Sequence, residues 1–212
     1  MYIGIDLGTS GVKVVLLNDK QHILATVSQP LPISRPHPLW SEQNPQDWWN
    51  ATDQAMLQLS QQHDLSHVQA IGLTGQMHGA TLLDKSDKVL CPAILWNDGR
   101  SYAECAELEK RVPTSREITG NLMMPGFTAP KLKWVAHHQP DIFSHVSKVL
   151  LPKDYLRLLM TGEYASDMSD ASGTMWLDVE KRDWNADLLD ACGLDRSNMP
   201  ELFEGNQITG TL

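Results

Sequence analysis

The first thirty residues constrain this chain most. Residues 2–6, 12–18 and 23–27 are short runs rich in β-branched and aliphatic side chains, separated by Gly8-Thr9-Ser10-Gly11 and by Asp19-Lys20-Gln21. Turn-forming residues between such runs close tight hairpins, so the spacing predicts three strands in an antiparallel meander. A meander needs a second layer over its apolar face. Asn44-Pro45-Gln46-Asp47 supplies the start of one: an N-cap, a proline at the first helical position and an acid in the first turn. The pattern predicts a helix over 45–61, with Trp48, Trp49, Ala51, Ala55, Met56 and Leu59 at three-and-four spacing. At that spacing the tryptophans read as core rather than as a ligand platform.

Beyond this helix, residues 68–74 read as a strand, and 80–83 and 89–95 as two more joined by a charged turn. From Ser101 the periodicity becomes helical, over 102–111, 128–138, 153–160 closed by Gly162, and 185–192 closed by Gly193. The expected fold is α/β: a mixed sheet opened by the meander, followed by a helix-rich elaboration over about 101–200. The chain has no internal repeat and no long flexible linker, so it reads as one unit.

Composition excludes several classes of function. Seventeen Lys and Arg against 26 Asp and Glu leave a net charge of −9, and the basic residues do not cluster, so neither nucleic acid nor an anionic membrane surface is an expected partner. No apolar run approaches the ~18 residues of a membrane span, and Met1-Tyr2-Ile3-Gly4-Ile5-Asp6 is no secretory leader; a cytoplasmic protein is expected. Cys91, Cys105 and Cys192 form no C-x-x-C pair, so they read as three buried thiols. Asn50-Ala51-Thr52 fits a glycosylation acceptor but falls inside the predicted helix and is set aside.

The sharpest candidate site is Asp6-Leu7-Gly8-Thr9-Ser10-Gly11-Val12-Lys13. An acid at the end of a strand expected to be buried needs a cation, donors or water, because an isolated carboxylate costs about several kcal/mol to desolvate. The glycine-flanked turn exposes consecutive backbone N–H groups, a nest for phosphate oxygens, and Asp6 can hold Mg²⁺ directly or through water. Phosphate with magnesium means a nucleotide. A plain hairpin in which Asp6 caps its own backbone accounts for the same residues equally well. Competing signatures are absent: there is no G-x-x-x-x-G-K-[ST], no G-x-G-x-x-G after a strand, no H-E-x-x-H and no G-x-S-x-G. His137 and His138 are adjacent on a predicted helix, about 100° apart, and read as a solvated face rather than a metal pair.

Two polar loops follow predicted strands, where α/β sheets place ligands. Gln76-Met77-His78 supplies an amide and an imidazole that can pair with several hydroxyls. Trp96-Asn97-Asp98-Gly99-Arg100 adds an acid, an amide, a guanidinium and a flat apolar face against which sugar C–H groups can rest. Each alone reads as an ordinary loop; together, beside a phosphate turn, they suit a small polyol.

These segments, with Pro36-His37-Pro38-Leu39-Trp40-Ser41-Glu42-Gln43, Gly126-Phe127-Thr128-Ala129-Pro130-Lys131-Leu132-Lys133-Trp134 and Leu151-Pro152-Lys153-Asp154-Tyr155-Leu156, resemble the FGGY carbohydrate kinases through essentially the whole chain. The resemblance implies the first of two actin-like, ribonuclease-H-like domains facing each other across a cleft. It implies ATP-dependent phosphorylation of D-xylulose at its 5-hydroxyl. Gly8, Thr9, Ser10, Gly11 and Lys13 would then lie near the transferring phosphates, Asp6 would act at the magnesium ion, and Gln76, Met77 and His78 would carry the sugar. Trp96, Asn97, Asp98 and Arg100 would line or shape the sugar pocket. Glycerol kinases carry an Arg-Glu pair where this chain has Met77-His78, which counts against glycerol. His137 stands where the family's first signature prefers Arg, Lys or an acid.

The resemblance also implies a catalytic-base Asp beyond Leu212 and an adenine pocket on a C-terminal domain, so the 212 residues alone are expected to be inactive. The face meant for that domain leaves self-association into a homodimer open. Two other classes compete: an actin-like or chaperone-type ATPase switch using the same hairpin without a small acceptor, and a non-catalytic sugar-binding module. A different ketose or polyol remains an alternative within the family.

Overall fold

The computed structural model describes residues 1–212. The meander forms as predicted: β1 (Tyr2–Leu7), β2 (Gly11–Leu17) and β3 (Ile23–Pro30) pair antiparallel, with Ile5 opposite Val14 and Asp6 opposite Lys13. After β4 (Glu42–Gln43) comes α1 (Pro45–Gln62), whose N-terminus is capped by the Asn44 side chain accepting from the Gln46 N–H at 3.1 Å. β5 (Ala70–Gly75) then lies parallel to β1, giving the order β3-β2-β1-β5. Parallel neighbours need a crossover, and α1 provides it.

The remaining elements are β6 (Thr81–Leu83), β7 (Ala93–Ile94), α2 (Tyr102–Arg111), α3 (Ser115–Thr119), α4 (Thr128–His138), α5 (Pro140–Phe143), β8 (Lys148–Leu150), α6 (Pro152–Thr161), β9 (Ala165–Asp167), α7 (Met168–Ser172), β10 (Leu177–Asp178), β11 (Asp183–Trp184), α8 (Ala186–Ala191), a 3-10 turn (Arg196–Asn198) and β12 (Glu201–Phe203). Two expectations need correcting. Residues 89–95 do not form one strand: Val89 meets Leu83 and Ile94 meets Ala80 in single bridges, and only β7 forms a ladder, with β4. Pro92 lacks the N–H that a ladder through this segment would use. The second half is also not purely helical, because β8 pairs with β6, β9 with β12 and β10 with β11.

Two apolar cores result. Ile3, Ile5, Leu7, Val12, Val14 and Leu16 of the sheet pack with Trp48, Ala55 and Leu59 of α1 and with Tyr155 and Leu156 of α6. The other core gathers α2, α4, α8 and Trp176. Strands β6 and β8 form the wall between them: Leu82 and Val149, which are paired, face the second core, whereas Leu83 and Leu150 face the first. Alternation along a strand buried on both sides produces this division.

The sheet itself is apolar on one face only, and this corrects the expected burial of Asp6. With residues 3, 5 and 7 turned to the core, Asp6 falls on the outer face and is exposed; Lys13 and Thr74 lie opposite it on the two neighbouring strands. Its carboxylate therefore needs no buried cation.

Of the three free thiols, Cys105 and Cys192 are buried and Cys91 is half-buried. Burial pushes Cys91 and Cys105 up to about 11 and Cys192 up to about 12, so all three stay protonated at neutral pH. His137 and His138 are partly exposed at the end of α4, facing Glu104 at 3.6 and 3.5 Å, and the His138 ring stacks on Trp134. No helix is long and apolar enough to cross a membrane.

Candidate active site

The hairpin between β1 and β2 is held open by its own hydrogen bonds. Gly8 donates its N–H to the Gly11 carbonyl at 3.0 Å, and the Ser10 carbonyl accepts from Leu31 at 3.0 Å. A Cβ on Gly11 would come within 2.7 Å of the Gln29 carbonyl oxygen, so close strand approach requires the glycine. The Thr9 and Ser10 N–H groups donate to no protein acceptor. Two successive free N–H groups at a turn, three and four residues beyond an exposed carboxylate, are the kind of donor set that can take up a phosphate group.

The structure brings the first sugar-type loop and the first residue of the second to this turn. The Trp96 indole donates to the Thr9 hydroxyl at 2.9 Å, so Trp96, half of it exposed, stands beside the phosphate turn. Gln76 follows β5 and is buried. Its Nε2 donates to Gln43 Oε1 at 2.8 Å, and Gln43 Nε2 in turn donates to the Thr9 carbonyl at 2.7 Å. Gln76 Oε1 is left buried without a protein partner. This leaves an open acceptor next to the exposed Met77.

His78 holds an unusual backbone conformation, φ 63°, in the left-handed region. Its carbonyl is fixed by Lys131 Nζ at 2.7 Å and by the Thr128 hydroxyl at 3.2 Å. Lys131, fully buried in α4, also donates to the Gly126 carbonyl at 2.8 Å. The imidazole packs edge-on to Phe127, and its Nδ1 is buried and unpartnered. Gly173 leaves room for it: a Cβ there would lie 2.3 Å from His78 Cε1. Burial first, and the nearby Lys131 charge second, pull His78 down to about 4, so the ring is neutral at physiological pH.

The rest of the second loop turns inward. Asp98 is buried and accepts from the Ser41 N–H at 2.6 Å, from the Arg100 N–H at 2.9 Å, and from the Arg100 guanidinium. That guanidinium lies 3.6 Å over Trp40 and 2.8 Å from Glu42. Both charged groups are thus taken up in shaping the loop. Asn97 borders an open cleft of about 480 Å³ lined also by residues 35–41.

Sequence reasoning passed over Gln43, Thr128, Lys131 and Gly173 as site residues. Lys131 carried a signal, a lysine within the apolar stretch Thr128-Ala129-Pro130-Lys131-Leu132, which burial makes costly unless it has a task. A further buried group sits close by: Lys153 Nζ lies 2.8 Å from each of Asp154, Asp167 and Asp170. Its Cβ is 3.3 Å from where a Cβ on Gly75 would stand.

All 212 residues match the FGGY family of carbohydrate kinases, N-terminal domain. The chain belongs to that family. It is 67% identical to the xylulose kinase of Escherichia coli strain K12 over its whole length, which spans 44% of that relative. Among solved structures it is similar to one described as a xyloylose kinase from Brucella ovis, with a TM-score of 0.96 and 55% identity over 99% of this chain and 44% of that one. A gluconate kinase from Lactobacillus acidophilus is also similar, with a TM-score of 0.90 and 26% identity over 95% of this chain and 41% of the other. The chain therefore spans less than half the length of the curated relatives it matches. The fold is the actin-like one expected.

Proposed function

We propose that residues 1–212 form the N-terminal, sugar-side domain of an ATP-dependent xylulose kinase, which transfers a phosphoryl group to the 5-hydroxyl of D-xylulose. The observation that carries this reading is the Trp96–Thr9 hydrogen bond, which joins a sugar-type loop directly to the turn with free N–H groups. The identity to the xylulose kinase of E. coli supports D-xylulose over glycerol or gluconate. Membership in a carbohydrate-kinase family also weighs against the ATPase switch and the non-catalytic module.

In this reading the Thr9 and Ser10 N–H groups, with Lys13, meet the phosphate oxygens of ATP, and Gly8 and Gly11 keep the turn narrow enough for them to do so. Asp6 fits a magnesium site, because its exposed carboxylate follows the strand toward that turn and is not engaged by a protein cation. The ion, when bound, supplies charge neutralisation at the phosphates. Gln76 Oε1, Met77 and His78 hold the sugar, and Trp96 offers it a flat apolar face, with Asn97 at the cleft's edge. Asp98 and Arg100 keep the loop in shape. A second domain, carrying the general-base Asp and the adenine pocket, completes the cleft.

The test is a coupled ADP-release assay on the full-length protein with D-xylulose, D-ribulose, glycerol and gluconate. D-Xylulose should give the highest kcat/KM, and the 212 residues alone should turn over negligibly, since half a cleft cannot align acceptor and phosphate. A preference for glycerol or gluconate, or no ketose-dependent release, would refute the assignment.

A further inference from the structure

We propose that the buried Gln43 is a positioning residue that couples the sugar site to the phosphate turn and dictates which end of the Gln76 amide meets the sugar. The inference rests on the function proposed above and extends it to a residue that touches neither ligand.

The argument is one of donor and acceptor accounting. The Trp48 indole can only donate, and it donates to Gln43 Oε1 at 3.0 Å. The Thr9 and Pro32 carbonyls can only accept, and both accept from Gln43 Nε2, at 2.7 and 3.1 Å. These three neighbours fix the Gln43 amide in one orientation; a flipped amide would face a donor with a donor and two acceptors with an acceptor. Gln43 Oε1 then has one lone pair left, and Gln76 must present its NH₂ to it, at 2.8 Å. Gln76 Oε1 is thereby turned away as a buried acceptor without a protein partner. An indole in α1 thus determines that the sugar group at Gln76 is a hydroxyl donating its proton. The same amide grips the carbonyl of Thr9, whose own N–H is free for phosphate. Both substrates' half-sites hang on one side chain.

Two substitutions in the full-length protein separate the two ends. Gln43→Met keeps the length and removes both functions, so the KM values for D-xylulose and ATP should each rise about tenfold. Gln43→Glu still accepts from Trp48 and Gln76 but has no donor for Thr9 and Pro32. The KM for ATP should rise about tenfold while that for D-xylulose changes less than about threefold. Lowering the pH from 8 to 6 should recover part of the loss in Gln43→Glu, because a buried carboxyl facing two carbonyls protonates readily and then donates. Hydrogen exchange read by mass spectrometry gives a measure independent of turnover. Exchange should quicken at residues 8–11 in Gln43→Glu, and at both 8–11 and 76–79 in Gln43→Met.

Exchange unchanged at both segments, or variants that only melt earlier while keeping both KM values, would overturn the role of Gln43. The same exchange pattern in a protein that phosphorylates no ketose would instead uphold the coupling and overturn the substrate reading.

Discussion

Trp96 and Thr9, 87 residues apart in sequence, are joined by an indole-to-hydroxyl hydrogen bond of 2.9 Å. The bond spans two loops that follow different strands, so it sets the distance between the flat indole face and the Gly8–Gly11 turn, which the proposed function gives to sugar and phosphate. Trp96→Phe keeps an aromatic face and removes the donor. A hydrogen bond of this kind contributes about 1 kcal/mol, so kcat/KM for D-xylulose should fall about fivefold. The thermal midpoint should fall by no more than about 2–4 °C, because Trp96 is 41% exposed and loses little packing. In a double-mutant cycle with Thr9→Val the two changes should be non-additive by about 1 kcal/mol. Strict additivity would show that the contact does not transmit.

The neutral state of His78 gives a second expectation. With its pKa lowered to about 4 from 6.5, the imidazole takes up no proton between pH 5.5 and 8, so it should contribute no pH dependence to the KM for D-xylulose in that range. The unfolded chain binds this proton more readily than the folded one. Stability from His78 is therefore complete above about 6.5 and is lost as pH falls toward 4. Proton NMR of the ring checks the first point; a His78 resonance titrating near 6.5 would contradict it. Gly173→Ala supplies the steric counterpart. A Cβ 2.3 Å from Cε1 must displace the ring, and the KM for D-xylulose should rise by at least about tenfold.

Much of the scaffold was legible because its signals are local. The meander turns, the Asn44-Pro45 helix start and the spans of α2 and α4 follow from residues within one turn of each boundary. The short strands β8 to β12 were missed because runs of two or three residues fall below any periodicity window. The Gly8–Gly11 turn and the Gln76–His78 loop were legible as turns beside strand ends, but the direction in which their neighbours point was not. Asp98 and Arg100 read as free polar groups, although they satisfy each other inside the loop at 2.7 Å. Gln43 was invisible for the opposite reason. Its partners Thr9 and Gln76 lie 34 and 33 residues away, and only the folded arrangement shows that one amide serves both.

Lys131 anchors the Gln76–His78 loop through the His78 carbonyl, and its titration reports the contact. Burial lowers its pKa to about 7 from 10.5, opposed by Asp98. A neutral amine still has two N–H groups, enough for the carbonyls of His78 and Gly126. Between about 7 and 10.5 the unfolded chain binds more protons than the folded one, so stability from this group rises with pH across that window. Urea unfolding at pH 7 and 9 should show the wild-type protein gaining relative to Lys131→Met. The variant should also lose about 1–3 kcal/mol at pH 7, because the Gly126 carbonyl is left without this donor. Equal pH slopes in both proteins would show that Lys131 titrates as an ordinary surface lysine.

The cluster around Lys153 carries one carboxylate more than its cations can match. Asp154, Asp167 and Asp170 face Lys153 and Arg157, and Arg157 reaches Asp154 at 3.2 Å. The surplus falls on Asp170, which burial, aided by the charges of Asp154 and Asp167, raises to about 6 despite Lys153. Asp167 is held below the ordinary carboxylate range by Lys153, against its burial. For Asp170 the folded pKa lies above the unfolded 3.8, so the folded chain binds the extra proton. The stability associated with it is full below 3.8 and is lost as pH rises through 6. Asp170→Asn keeps an acceptor for Lys153 and removes the titration. The stability of the variant relative to wild type should therefore improve between pH 4 and 6 and level off above. α7 leads into Gly173 beside His78, so the KM for D-xylulose in the wild-type protein should drift over the same pH interval and stay flat in Asp170→Asn. A flat relative stability from pH 4 to 7 would show that Lys153 neutralises all three acids.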